Sequence, residues 1–123
     1  MTTSDPRYAT LSRPDLERKL AETRPDNAHS TAGYALVNVL PRDHFERAHI
    51  PDSINIPVGE EEEFERRFDR DKEIVVYCAS PDCDASPKVA AELARRGFAY
   101  VQDYEEGLSE WQKAGHAVAS GAD

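Results

Sequence analysis

The fold of this chain is decided by the stretch Ile74-Val75-Val76-Tyr77-Cys78 and by the residues after it, Ala79-Ser80-Pro81-Asp82-Cys83-Asp84-Ala85-Ser86. A short run of β-branched apolar residues ends at a cysteine, a loop of small residues follows, and a helical pattern then begins. This order predicts a buried strand whose carboxyl end places Cys78 opposite the amino-terminus of the next helix. Open α/β sheets carry their chemistry at this edge, where backbone N–H groups and the helix dipole favour a thiolate.

The composition narrows the functional classes. The 123 residues fit one domain. With 15 lysines and arginines against 24 aspartates and glutamates, the net charge is -9, and no basic run is present to bind nucleic acid or an anionic membrane. No apolar stretch approaches the ~20 residues of a membrane span, and residues 1–6 do not resemble a signal peptide. We therefore expect a cytoplasmic protein, in which two cysteines in one loop are catalytic, redox-active or metal-binding rather than a structural staple.

Apolar periodicity and end signals predict alternating helices and strands. The predicted helices run from the N-cap Ser12 to Glu22, over Pro41–Arg47, over Glu60–Phe68, from the N-cap Ser86 to Arg96, and around Leu108 and Trp111 up to Gly115. The predicted strands are Tyr34–Val39, Ile54–Ile56, Glu73–Cys78 and Phe98–Gln102. Residues 24–33 are expected to form a surface loop, residues 8–118 the folded domain, and residues 1–7 and 119–123 flexible tails. The alternation predicts an α/β fold with a mainly parallel central sheet and helices on both faces.

Three blocks of sequence resemble the rhodanese family of single-domain sulfurtransferase-like proteins. The first is Leu36-Val37-Asn38-Val39, then Phe45, then His49-Ile50-Pro51-Asp52-Ser53-Ile54-Asn55-Ile56-Pro57. The second is Val75-Val76-Tyr77-Cys78 with the helix from Ser86 to Gly97-Phe98, and the third is Tyr104-Glu105-Glu106-Gly107-Leu108 with Trp111 and Gly115. Together the blocks run from about residue 11 to residue 118, in the order that the family has, so the resemblance covers nearly the whole chain.

The resemblance implies a persulfide mechanism without a cofactor. Cys78 would be the catalytic nucleophile, which takes sulfur from a small donor and passes it to cyanide, a thiol or a protein carrier. The substrate-binding loop would comprise Ala79, Ser80, Pro81, Asp82, Asp84, Ala85 and Ser86. A free thiol is only ~3% ionised at pH 7, so loop N–H groups that converge on the sulfur, at ~1.5–3 kcal/mol each, would favour the thiolate. We expect a monomer or weak dimer, with Cys78 more reactive than Cys83.

Several positions depart from the family pattern. The active-site loop is longer than usual and contains neither glycine nor arginine, whereas Asp82 and Asp84 add negative charge. A nearby carboxylate costs an approaching anion ~1 kcal/mol in water and more in a partly closed pocket. This predicts weak activity with thiosulfate and disfavours a phosphatase or arsenate reductase. In the first block, Asn38 replaces the usual aspartate, Leu40 replaces the usual arginine, and Ala48 and Asp52 replace the usual glycines. We interpret these exchanges as changes of the scaffold.

Other interpretations of the same residues stay open. Cys78 could be an ordinary buried cysteine, and Cys83 could be a loop residue without a function. Alternatively, Cys83 is a resolving thiol that attacks an oxidised or persulfidated Cys78 to give a disulfide, unless Pro81 holds the two apart. In that case the domain could be a non-enzymatic module that binds a partner or senses redox state.

The sequence does not favour a metal site. His49 is expected to be a structural hydrogen-bonding residue near the sheet. Zinc would need two ligands besides the cysteines, and the spacing of His44 and His49 fits no known site. The four glutamates at residues 60–63 are expected to form a solvated helix start rather than a metal or partner site.

Overall fold

The structure is a computed structural model, and it describes residues 8–25 and 33–121. The strands are β1 (Ala9–Leu11), β2 (Tyr34–Asn38), β3 (Ile54–Asn55), β4 (Glu73–Tyr77) and β5 (Tyr100–Tyr104). The helices are α1 (Arg13–Glu22), α2 (Arg42–Arg47), α3 (Glu62–Arg67), α4 (Ala85–Arg95) and α5 (Gly107–Lys113). The expected tail 1–7 and most of the expected loop 24–33 lie outside the described residues.

The five strands form one parallel sheet in the order β1-β5-β4-β2-β3. β4 lies at the centre, where Tyr77 is aligned with Asn38 on one side and Tyr104 on the other. All five residues of β2 are buried, as expected for a parallel strand covered on both faces. The predicted α/β class is therefore confirmed. The sequence does not predict β1, because this edge strand is short and largely exposed and forms only by pairing with β5.

Each face of the sheet carries its own apolar cluster. One face packs under α3 and α4 and includes Val37, Val76, Val101, Phe64, Phe68, Val89 and Leu93, together with Cys78. The opposite face packs under α1 and α5 and includes Leu36, Val75, Tyr77, Tyr104, Leu16, Leu108 and Trp111. Each such aliphatic or aromatic side chain contributes about 1.5–3 kcal/mol when fully buried. Cys78 thus lies on the face that α4 covers.

Two predicted helix ends are confirmed in detail. Ser12 caps α1: its hydroxyl accepts the Asp15 N–H at 3.3 Å, and the Asp15 carboxylate accepts the Ser12 N–H at 3.2 Å. Gly97 ends α4 with φ +98°. The N–H groups of Gly97 and Phe98 donate to the carbonyls of Ala94 and Leu93, a turn that needs a left-handed residue at its centre.

Two element boundaries differ from those that the sequence predicts. α3 begins at Glu62 instead of Glu60, because Glu60 still belongs to a turn in which its N–H donates to the Pro57 carbonyl. β5 covers Tyr100–Tyr104 instead of Phe98–Gln102. Phe98 still closes α4, so the strand begins later and continues through Asp103. The other predicted elements agree to within one or two residues, the usual uncertainty of such boundaries.

The chain beyond α5 returns to the sheet. Ala119 and His49 form an antiparallel bridge, with N–H···O distances of 2.8 and 2.9 Å. The Gly121 N–H donates to the Glu46 carbonyl at 2.7 Å. Ala119 and Gly121, which the sequence places in a flexible tail, are therefore hydrogen-bonded to the segment after α2 and to α2 itself.

Candidate functional site

The start of α5 holds the loop that follows β4. Cys78 comes directly after β4 and is only 1% exposed. Its carbonyl accepts the Leu108 N–H at 2.9 Å, and the carbonyl of Ala79 accepts the Ser109 N–H at 2.8 Å. The first N–H groups of a helix have no partner within the helix, so α5 satisfies them with the loop. This fixes the backbone at Cys78.

Gly107 allows this close approach. It has φ +76°, and a Cβ atom there would lie 2.6 Å from the Ser80 nitrogen and 2.8 Å from the Ala79 carbonyl carbon. Any other side chain would have to displace the loop backbone. The sequence shows Gly107 within the third block of the resemblance, but not that it touches the loop after Cys78, because the two segments meet only in the fold.

Cys78 and Cys83 are joined in a disulfide, with their Cα atoms 6.4 Å apart. A separation of this size lies within the range that disulfides bridge. The loop closes through a turn in which the Cys83 N–H donates to the Ser80 carbonyl at 3.1 Å. Pro81 lies in this turn and does not hold the cysteines apart. The structure therefore describes the oxidised pair; the roles of Cys78 as nucleophile and of Cys83 as resolving thiol remain predictions.

Ser86 is not the N-cap of α4 that the sequence predicts. The helix begins at Ala85, with Asp84 at the cap position and no side-chain cap hydrogen bond. Ser86 therefore lies in the first turn of the helix, where it is 1% exposed. Its hydroxyl oxygen is 3.6 Å from the Cys78 sulfur. In this position the Ser86 hydroxyl contacts the Cys78 sulfur and does not cap the helix backbone.

Asp103 is a site residue that the sequence interpretation missed. It is paired with Val76 across β4 and β5, and side chains alternate along a strand, so it shares a face with Val76 and Cys78. Asp103 is 2% exposed, and its Oδ1 atom has no hydrogen-bond partner. Burial raises its pKa to about 6 although the Ser86 side chain opposes the rise, and the negative charge of Glu105 adds to it. The sequence does carry a signal for Asp103. It lies two residues after the apolar Val101 in the same strand, so a carboxyl group is expected on the apolar face of the sheet.

The outer part of the loop is negatively charged. Asp82 and Asp84 are exposed, and Lys88 lies 3.3 Å from the Asp84 carboxylate at the start of α4. Among the loop N–H groups expected to converge on the sulfur, that of Cys83 donates to Ser80 instead. In this oxidised form, the Ser86 hydroxyl contacts the Cys78 sulfur at 3.6 Å.

His49 is fully buried. Its Nδ1 atom is 2.7 Å from the Phe45 carbonyl, to which it donates, and its ring stacks on that of Phe45. These contacts agree with the structural role expected for it. Asn38 likewise serves the scaffold, since its side-chain oxygen accepts the Leu40 N–H at 2.9 Å. Asp52, which replaces a usual glycine, has φ +73°, a conformation that aspartate tolerates better than most residues.

Two further observations concern the described residues as a whole. Within residues 8–25 and 33–121, no three histidine, cysteine, aspartate or glutamate side chains are close enough to hold a metal ion. The glutamates of the first turn of α3 instead pair locally, Glu63 with Arg66 and Arg67. None of the helices in the described part of the chain is both long and apolar enough to span a bilayer.

Comparison with known proteins identifies the class. The family model of the rhodanese-like domain matches residues 15–114, and the chain belongs to this family. The crystal structure of the BH2092 protein from Bacillus halodurans is similar, with a TM-score of 0.76 at 26% identity, and the match covers 94% of this chain and 79% of that one. The sheet that carries Cys78 at the carboxyl end of β4 is therefore that of a rhodanese-like domain.

Two curated relatives differ in what they are named for. Thiosulfate sulfurtransferase GlpE of Pseudomonas syringae pv. syringae is 35% identical over 80 residues, which make up 65% of this chain and 74% of that protein. The HTH-type transcriptional regulator Rv0324 of Mycobacterium tuberculosis is 36% identical over 87 residues. These are 71% of this chain but only 38% of the regulator. At the level of the family, the relatives support a function of the sulfurtransferase type.

Proposed function

We propose that this protein is a sulfurtransferase that carries sulfane sulfur as a persulfide on Cys78. The observation that carries the proposal is the position of Cys78: it directly follows the central strand of a rhodanese-like domain, beside the first turn of α4, with the Ser86 hydroxyl 3.6 Å from its sulfur. A helix amino-terminus and a hydroxyl donor both favour a thiolate once the disulfide is reduced.

The transfer has two steps. The Cys78 thiolate attacks the outer sulfur of a donor such as a thiol persulfide, R–S–SH; the S–S bond of the donor breaks, and R–S⁻ leaves with the electron pair. The outer sulfur then remains on Cys78 as a persulfide. An acceptor thiolate attacks this outer sulfur, and Cys78 leaves as a thiolate. No cofactor is needed, because sulfur moves with its bonding electrons and no net oxidation occurs.

The donor is proposed to be neutral or thiol-borne. The name of the GlpE relative suggests thiosulfate, but a dianion has to approach past Asp82 and Asp84, which are exposed in the active-site loop. Only Lys88, which already pairs with Asp84, offsets this charge among the described loop contacts. The acceptor is proposed to be a small thiol or a protein carrier in the cytoplasm, and nucleic acid is not an expected ligand of this acidic domain.

The disulfide adds a requirement for reduction. In the oxidised form the Cys78 sulfur is bonded to Cys83 and buried, so it neither loads sulfur nor attacks a donor. Cys83 is proposed to resolve an oxidised Cys78, and a dithiol reductant would restore the thiol. The active enzyme is therefore the reduced one.

Intact-protein mass spectrometry tests the proposal. The reduced protein is mixed with a small-molecule persulfide, and the mass is followed before and after addition of cyanide. We expect one added sulfur atom that cyanide removes, repeated over several cycles. Cys83→Ser should still load, whereas Cys78→Ser should not. Loading on Cys83 alone, or no cyanide-removable sulfur on a folded reduced protein, would contradict the assignment.

A second candidate function is a redox-sensing module that uses the same cysteine pair. The disulfide between Cys78 and Cys83 favours it, as does the similarity to a region of a protein named as a transcriptional regulator. The mass experiment separates the two functions, because a sensor forms and loses the disulfide without turning over a sulfur donor.

A further inference from the structure

The disulfide shows which sulfur atom Cys83 reaches. Its bond joins the Cys83 sulfur directly to the Cys78 sulfur, and the two Cα atoms lie 6.4 Å apart. In a persulfide on Cys78 this same atom becomes the inner sulfur, which is bonded to the Cβ carbon and to the outer, sulfane sulfur. Cys83 therefore lies within bonding reach of the inner sulfur, whereas the transfer described above uses only the outer one.

The loop backbone holds the two cysteines together by hydrogen bonds that do not involve the sulfur atoms. The first turn of α5 donates N–H groups to the carbonyls of Cys78 and Ala79 at 2.9 and 2.8 Å. The Cys83 N–H donates to the Ser80 carbonyl at 3.1 Å, and the Cys83 side chain packs against the apolar cluster under α4. These contacts do not need the disulfide, so we expect the two thiols to stay close after reduction.

Access to the inner sulfur favours Cys83 over a nucleophile from solution. Cys78 is 1% exposed, whereas Cys83 is partly exposed. Asp82 and Asp84 flank Cys83 and are exposed, and Lys88 lies 3.3 Å from the Asp84 carboxylate. An anion such as cyanide or a thiolate has to pass these carboxylates, but Cys83 already lies inside the loop. A nucleophile held beside its target also needs no collision, which raises its effective concentration.

We propose that Cys83 discharges a Cys78 persulfide that meets no acceptor, releasing hydrosulfide and closing the disulfide. The Cys83 thiol first loses its proton to water. Its thiolate then attacks the inner sulfur of the protonated persulfide, the bond between the inner and the outer sulfur breaks, and the outer sulfur leaves as HS⁻ with the electron pair. The sulfane sulfur gains two electrons, and the cysteine pair loses two, because it passes from dithiol to disulfide.

This step gives the domain a second activity, the reduction of persulfides to hydrosulfide. The substrates are a small thiol persulfide and a dithiol reductant, which reopens the disulfide by thiol–disulfide exchange. The inference rests on the proposed function, since it starts from a persulfide on Cys78. It goes beyond that function, because the sulfur leaves as a free, reduced product. An acceptor that is present during loading competes with Cys83 for the persulfide.

A single-turnover experiment tests the proposal. The protein is reduced, freed of reductant and mixed with less than one equivalent of a small-molecule persulfide that carries an isotopic label in its outer sulfur. Samples are alkylated at set times and weighed by intact-protein mass spectrometry, while released hydrosulfide is trapped with a bimane and counted. Cys78→Ser measures the hydrosulfide that the donor releases by itself. The matched variants Cys83→Ser and Cys83→Ala keep the nucleophile and remove only the second thiol.

We expect the wild-type protein to gain one labelled sulfur atom transiently. It should then become lighter than the reduced protein by two hydrogen atoms, with one labelled hydrosulfide released per disulfide and neither cysteine alkylated. In Cys83→Ser and Cys83→Ala the added sulfur should persist at least about tenfold longer, because the intramolecular nucleophile is missing. Cyanide added together with the donor should divert the label of the wild-type protein from hydrosulfide to thiocyanate.

Four results would overturn the proposal. A labelled persulfide that persists equally in the wild type and in both Cys83 variants shows that Cys83 does not discharge it. A disulfide that forms without labelled hydrosulfide has been closed by another oxidant. Label that moves to Cys83 and stays there indicates attack on the outer sulfur. Finally, if neither Cys83 variant gains sulfur although urea unfolding shows that it is folded, the proposed sulfurtransferase fails and this inference with it. Loading without discharge, in contrast, removes this inference alone.

Discussion

Replacement of Gly107 by alanine tests the contact that holds the active-site loop. The Cβ atom would lie 2.6 Å from the Ser80 nitrogen and 2.9 Å from the Cys78 carbonyl oxygen, so the loop backbone has to move. A non-glycine residue in the left-handed region costs about 1–2 kcal/mol. Loss of the two hydrogen bonds from α5 to Cys78 and Ala79 adds about 0.5–1.5 kcal/mol each. The free energy of unfolding should therefore fall by about 2–5 kcal/mol.

Gly115→Ala is the matched control for this substitution. Gly115 also has a positive φ, +90°, but a Cβ atom there would meet nothing within 4 Å. This variant should lose only the conformational cost of about 1–2 kcal/mol. Urea unfolding of the oxidised proteins measures both losses, and alkylation of Cys78 after reduction should be altered in Gly107→Ala alone. Equal losses in the two variants would refute the claim that Gly107 is required by the approach of the loop.

Three further predictions concern the loop and the buried carboxyl group. Combining Asp82→Gly with Asp84→Arg should raise turnover with thiosulfate, and an unchanged rate at every ionic strength would point to the shape of the loop rather than its charge. Mild peroxide should convert the reduced protein to a form lighter by two hydrogen atoms, whereas Cys83→Ser should accumulate over-oxidised Cys78; equal over-oxidation in both proteins would exclude a resolving role. The pKa of Asp103 rises from 3.8 to about 6 on folding, so the folded protein binds the extra proton between these values. This group therefore stabilises the fold less as the pH rises from about 4 to about 6, by up to about 3 kcal/mol. Urea unfolding over this range should show the stability of Asp103→Asn rising relative to that of the wild type, and a constant difference would count against a buried, titrating Asp103.

The local sequence is enough to predict most of the elements. The buried parallel strands have continuous apolar runs, as at residues 74–77, and helix ends are marked by Ser12 and Gly97, whose effects act within a few residues. The same local signals locate Cys78 at the end of the central strand. Local signals do not predict the short edge strand β1, because it forms only by pairing with the distant strand β5. They also misplace the start of β5, because Phe98 belongs to the turn that closes α4.

The pattern of apolar runs by itself determined the fold class and the place of the two cysteines, since hydrophobic periodicity and loop length are properties of neighbouring residues. Only the tertiary structure decided what surrounds Cys78. Ser86, which the sequence predicts as a helix cap, contacts the Cys78 sulfur instead. Asp103 lies on the same face of the sheet in the adjacent strand, and Gly107 allows α5 to pack closely against the loop. Asp103 and Gly107 are far from Cys78 in the sequence, and Ser86 does not make the cap hydrogen bond that its sequence position predicts. Their contacts follow from the register of β4 against β5 and from the packing of two helices at one end of the sheet, which no local pattern records.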